Sequence, residues 1–138
     1  QMPFNQILLV MRKDKFYGFN VPKVTFYTNT RSADVVCGLY RRYYEKGLYK
    51  DLWYAPDGKP MIIGVSEDGL ISAQNRELYA MLKEDFFDFR ESQWPDGKTT
   101  IENLEIGFPW MDWTYPQKNY NGMMSVSLAQ HPPAARQG

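Results

Sequence analysis

The chain carries one imidazole and one thiol, His131 and Cys37, far apart in sequence. Histidine-assisted acid, base or nucleophile chemistry needs its partners fixed within about 3 Å of each other. His131 precedes Pro132 and Pro133 in a C-terminal stretch, residues 131–138, that is expected to fray. No catalytic residue is assigned on that basis. One Cys and one His also fall short of a zinc ligand set, so no metal site is expected. Cys37, beside Val36, reads as a packed thiol. The glycines of the central region sit in Pro-Asp-Gly and Glu-Asp-Gly turns, and no glycine-rich phosphate loop follows a strand. No cofactor is implied.

Carboxylates are the chemistry that remains. Pairs of them hydrolyse glycosides or hold Mg²⁺, and Glu77, Glu84 and Asp88 could serve a carboxylate-dependent hydrolase. With Glu91 they equally describe a solvated acidic face, able to meet a basic protein surface. A second constellation, Arg41, Arg42, Tyr43, Tyr44 and Lys46, interleaves cations with rings as single-strand nucleic-acid binders do. A third gathers Trp94, Trp110, Trp113, Tyr115 and Tyr120 in turn-rich sequence, where large rings can anchor a protein partner.

The element that must position the carboxylates is a helix over about 75–91, NRELYAMLKEDFFDFRE. At about 100° per residue Leu78, Leu82, Phe86 and Phe89 form an apolar stripe roughly 80° wide, and the four carboxylates form a separate one. A second amphipathic helix is expected over about 32–46. Thr30 or Ser32 would cap it, Asp34 suits its positive end, and Gly47 offers a left-handed stop. Two features weaken that helix: the adjacent Val35 and Val36, and Gly38 in its middle.

The short apolar run QILLVM reads as a first strand and KVTFYT as a second. Leu52–Tyr54 and Met61–Val65 flank APDGKP, the strongest hairpin signal in the chain. The expected fold is therefore α+β: a small antiparallel sheet, two helices packed on it, and an aromatic-rich C-terminal loop. A single globular domain is expected over 1–130.

A chain of 138 residues with 43% hydrophobic and 16% aromatic content can bury a real core, and no apolar run approaches the ~18 residues of a membrane span. No membrane association is expected. The lone Cys mildly favours the cytoplasm, or the periplasm if Gln1 is a processed end. Residues 1–50 hold nine Lys and Arg against three Asp and Glu, and residues 51–105 hold five against twelve, so neutrality conceals a dipolar layout. Overall neutrality disfavours a dedicated nucleic-acid binder. These observations lead to the expectation of a non-enzymatic protein-binding module. Its most concrete form is a small inhibitor or immunity-type protein that neutralises a toxin or enzyme of basic surface through its acidic helix face and aromatic loop. Single-strand nucleic-acid binding and carboxylate hydrolysis stand as alternatives.

Overall fold

The computed structural model describes residues 3–92 and the pair 107–108. The chain divides into two compact units after Phe89, and the first of them holds nearly all of the described residues. Its elements are α1 (Pro3–Phe16), β1 (Phe26–Tyr27), α2 (Ser32–Leu39), β2 (Met61–Gly64), α3 (Arg76–Met81) and the start of β3 (Asp88–Ser92). Both α2 and α3 run on into wider turns, Tyr40–Tyr44 and Leu82–Phe86. These turns close with five-residue hydrogen bonds, Glu45 N to Tyr40 O and Phe87 N to Leu82 O.

The sheet is parallel where an antiparallel one was expected. Phe26 lies opposite Ile62 and Tyr27 opposite Ile63 in parallel register, so α2 lies within a crossover between β1 and β2. In the second unit β3 continues to Glu91 and Ser92, which pair in parallel with Gly107 and Phe108 of β4 (Gly107–Phe108). The hairpin reading of APDGKP fails for a visible reason. Val24 bridges Trp53 in the same parallel sense, two residues before Phe26 meets Ile62, so nine residues on one side match two on the other. The segment between Trp53 and Met61 is looped out of one strand direction, with Met61 N donating to Tyr54 O across its neck. Gly58 takes a φ of +89° there, as the Asp-Gly turn chemistry implied.

Three helices are present among the described residues, where two were expected. The run QILLVM is the middle of α1. Arg12, Lys13 and Lys15, all good helix formers, follow it, the two lysines occupy the last turn, and Gly18 at φ +86° ends it. Helix α3 is shorter than the 75–91 span, because Phe87 leaves helical dihedrals at ψ 151°. Adjacent helical side chains point about 100° apart, so Phe86 and Phe87 reach the same Tyr44 ring, at 6.0 and 4.9 Å, only because the helix stops between them. Asp88 N then donates to Pro60 O and strand β3 begins.

The core joins Ala33, Val36, Cys37 and Leu39 of α2 to Leu52, Ile62, Tyr79, Leu82 and Phe87. An aromatic cluster closes one side of it, with Tyr44 and Trp53 at 4.7 Å and Phe26 and Trp53 at 5.8 Å between centroids. Leu8 of α1 joins this core, and the Tyr43 hydroxyl donates to Asn5 Oδ1. The aromatic-rich C-terminal segment lies outside the described residues, as does the tail 131–138. No helix among the described residues is long and apolar enough to cross a membrane.

Candidate functional site

Parallel β1 and β2 bring their carboxyl ends together at the start of α2, which is where ligands commonly bind in parallel α/β sheets. The residues found there are Thr28 and Arg31 from the β1–α2 connection, Ser32 and Asp34 of the first turn of α2, and Val65 and Asp68 after β2. Their hydrogen bonds form a closed set. Thr28 Oγ1 donates to Ile63 O at 2.7 Å, Ser32 and Thr28 share a 2.8 Å bond, and Val65 N donates to Ser32 Oγ at 2.9 Å. Since Thr28 spends its proton on Ile63, the Ser32 hydroxyl is the donor to Thr28, and each hydroxyl donates once and accepts once.

The two carboxylates are committed in the same way. Asp68 Oδ2 accepts from Ala33 N at 2.9 Å, and Oδ1 accepts from Leu70 N at 2.9 Å. Asp68 thus caps α2 from another loop, a task expected of Thr30 or Ser32. A carboxylate already occupies the positive end where an anionic ligand would sit. Asp34 accepts from Ser72 N, Ser72 Oγ, Asn75 Nδ2 and Arg31 Nη2 at 2.7 to 3.1 Å. The bonds from Asn75 and Ser72 lead in holding its pKa far below the ordinary carboxylate range. A carboxyl held ionised this firmly cannot deliver a proton near neutral pH. The head of α2 is a lock that joins two loops to a helix, and its carboxylates and hydroxyls are spent within it, while Asn75 Oδ1 is buried with no hydrogen-bond partner among the described residues.

The acidic set does not share one helical stripe. Glu77 and Glu84 are exposed on α3 and its continuation, seven residues apart and on one side. Asp88 and Glu91 stand on β3, beyond the helix end. Between the two glutamates Lys83 sends its ammonium to Ser66 O at 2.8 Å and over the Tyr79 ring at 4.7 Å. Of the basic set, Arg41, Arg42 and Lys46 are exposed, whereas Tyr44 is 7% exposed and its ring is packed among Trp53, Phe86 and Phe87. Burial pushes the Tyr44 hydroxyl up, out of any physiological range. That ring is not offered to a nucleic-acid base. Trp94, Trp110, Trp113, Tyr115 and Tyr120 lie outside the described residues. Cys37 is fully buried, 3.8 Å from Asn75 O, and burial raises its pKa, which makes it an inert packing group. Among the described residues no three His, Cys, Asp or Glu side chains gather to hold an ion.

No protein-family model, curated protein or solved structure matches this chain. Function rests on the geometry alone.

The feature the sequence reading missed is the surface of α1. Leu8 is buried and Met11 half-buried, but Ile7, Leu9 and Val10 are 56%, 46% and 57% exposed. Phe16, Tyr17 and Phe19 at its end are 82%, 65% and 65% exposed. At about 100° per residue Ile7, Val10 and Tyr17 fall on one side of the buried stripe, and Leu9 and Phe16 on the other. Reading QILLVM as a strand hid this, because alternation assigns every second residue to a core.

Proposed function

We propose that this chain is a non-enzymatic protein-binding module. The observation that carries the reading is the run of large apolar side chains left in solvent along α1 and the turn after it, from Ile7 to Phe19. Single exposed apolar residues are ordinary, but a helix that exposes apolar residues on both sides of its buried stripe is a feature of interaction surfaces. Arg12 and Lys13 are exposed between these residues, so the partner fitting this face has an apolar groove rimmed by carboxylates. The spent state of Asp34 and Asp68 supports binding over hydrolysis. Glu77 and Glu84 offer a second, acidic contact for a basic part of the same partner. Neutralising that partner, as a small inhibitor or immunity-type protein does, is the finer form of the proposal.

The test uses the full chain as bait in a lysate of its source, with Ile7, Val10 and Phe16 replaced together by Gln. These side chains are exposed, so the triple variant keeps its stability to within about 0.5 kcal/mol. The wild type is expected to retain a partner at defined stoichiometry, and the triple variant to lose it. Full retention by the variant removes α1 from the account. Absence of any stoichiometric partner for the wild type overturns the proposal.

A further inference from the structure

Gly38 lies at the seventh of eight positions of α2, and nothing among the described residues requires it to be glycine. Among the described residues, and apart from the helix's own backbone, a Cβ there would meet nothing within 4 Å, and its φ is not positive. Glycine inside a helix costs roughly 0.5–1 kcal/mol relative to Ala, so the position gives up stability without relieving a clash with any other described residue. What glycine does provide is an approach to the helix backbone for something outside it.

The surroundings fit that role. Gly38 opens onto a cavity of about 350 Å³ between α2 and β1, lined by Phe26, Tyr27, Thr28, Val35, Leu39 and Arg42. Val35, Gly38, Leu39 and Arg42 are spaced i, i+3, i+4 and i+7, which is one continuous face of α2 and its wider last turn. Val35 on this face is 43% exposed. The one charged group is Arg42, at the end of the row. Its guanidinium lies 5.8 Å from the Tyr43 ring and has no carboxylate in ion-pair reach among the described residues.

We propose that this groove receives an α-helix of another polypeptide, packed across Gly38 and carrying a carboxylate to Arg42. A helix fits better than a small polar ligand. The cavity is at the lower end of ligand-pocket volumes, and the Thr28 hydroxyl is already committed to Ile63 and Ser32, so no convergent polar set fixes a small molecule's orientation. An apolar row ending in a charge is what an amphipathic helix needs from its groove, and a missing side chain lets two helix axes come close. None of the lining residues belongs to α1, so the groove is a surface separate from the one proposed above.

The probe is a synthetic helix of about 20 residues, with Ala and Leu on one stripe and Glu flanking it, titrated into the ¹⁵N-labelled full chain. Saturable shifts of the Gly38, Val35 and Leu39 amides are expected. The affinity falls by at least about 10-fold in Gly38→Leu, which fills the groove, and by about 3-fold in Arg42→Gln or with Lys replacing Glu in the probe. Thermal melts of Gly38→Leu are expected at or above the wild-type midpoint, which separates blocked binding from lost folding. The proposal is overturned if no peptide produces saturable shifts, or if Gly38→Leu binds as well as wild type. It is equally overturned if decanoate shifts these amides and the peptide does not, or if they shift with protein concentration alone, which would assign the groove to a second copy. Because the readout is the amides lining this groove, Val35 and Leu39 in every variant, failure here leaves the α1 reading intact, and failure at α1 leaves this one intact.

Discussion

Gly64 packs against the head of α2, Gly38 lies within that helix, and the two meet opposite surroundings. At Gly64, the last residue of β2, a Cβ would lie 2.7 Å from Ser32 Oγ, 3.0 Å from Thr28 Oγ1 and 3.3 Å from the Phe89 ring. At Gly38 the same atom would meet nothing within 4 Å among the described residues outside its own helix backbone. One glycine is demanded by the closed polar lock at the head of α2; the other leaves room on its open side. The difference separates the part of this unit that holds the fold from a part that the fold does not use. Close approach at the lock and vacant space at the groove are two physical uses of one residue type, told apart only by what surrounds the missing Cβ.

The largest expected effect breaks the lock. Gly64→Ala forces a methyl group against two hydroxyls that are each tied to backbone, so neither can swing away, and the cost is about 3 kcal/mol in a urea titration. A loss below about 1 kcal/mol would mean that the Ser32–Thr28 pair yields more easily than its bonds imply.

The acid limb of stability sharpens the same region. Asp34 has a folded pKa held below its unfolded value of about 3.9, so the unfolded chain binds the proton more readily. Its contribution is full above about pH 5 and is lost as pH falls below that. Asp34→Asn is expected to flatten the acid limb in denaturant midpoints taken between about pH 5 and pH 2. An unchanged limb would show that Ser72 and Asn75 do not favour the ionised form. Next in size, Asp68→Ala removes the acceptor of the Ala33 and Leu70 amides and costs about 1.5 kcal/mol. Glu67→Ala, at its exposed neighbour, stays within about 0.5 kcal/mol as the control.

What could be read from the sequence tracks the range of the forces involved. Helix α2, its acidic first turn at Asp34 and its left-handed stop at Gly47, φ +67°, are local matters of capping and dihedral preference, and they were legible. Strand direction was not, because it depends on Phe26 meeting Ile62 across the chain, and an Asp-Gly turn serves a hairpin and a looped-out segment equally. The end of α3 escaped for a similar reason. Periodicity carried the stripe through Phe89, while the demand of the Tyr44 ring for both Phe86 and Phe87 is visible only once those rings are together. The cap from Asp68 spans 35 residues of chain, beyond any local signature. In the sequence Gly38 reads as a weakness of the helix; its open surroundings are set by the distant packing of β1 against α2.

The smallest effect decides whether that openness is intrinsic. In the isolated chain Gly38→Ala adds a methyl group where none of the described residues outside its own helix backbone stands within 4 Å, and removes the backbone freedom that glycine gives the unfolded state. Both changes favour the fold, so the variant is expected to be more stable than the wild type by about 0.5–1 kcal/mol, seen as a higher urea midpoint at unchanged slope. A loss of stability would show that the methyl group meets part of the chain after all, and the glycine would then be explained by internal packing. A gain means that the wild-type residue is suboptimal for folding alone. With Gly64→Ala moving in the opposite direction, the pair of substitutions assigns one side of α2 to the fold and leaves the other to whatever the fold meets.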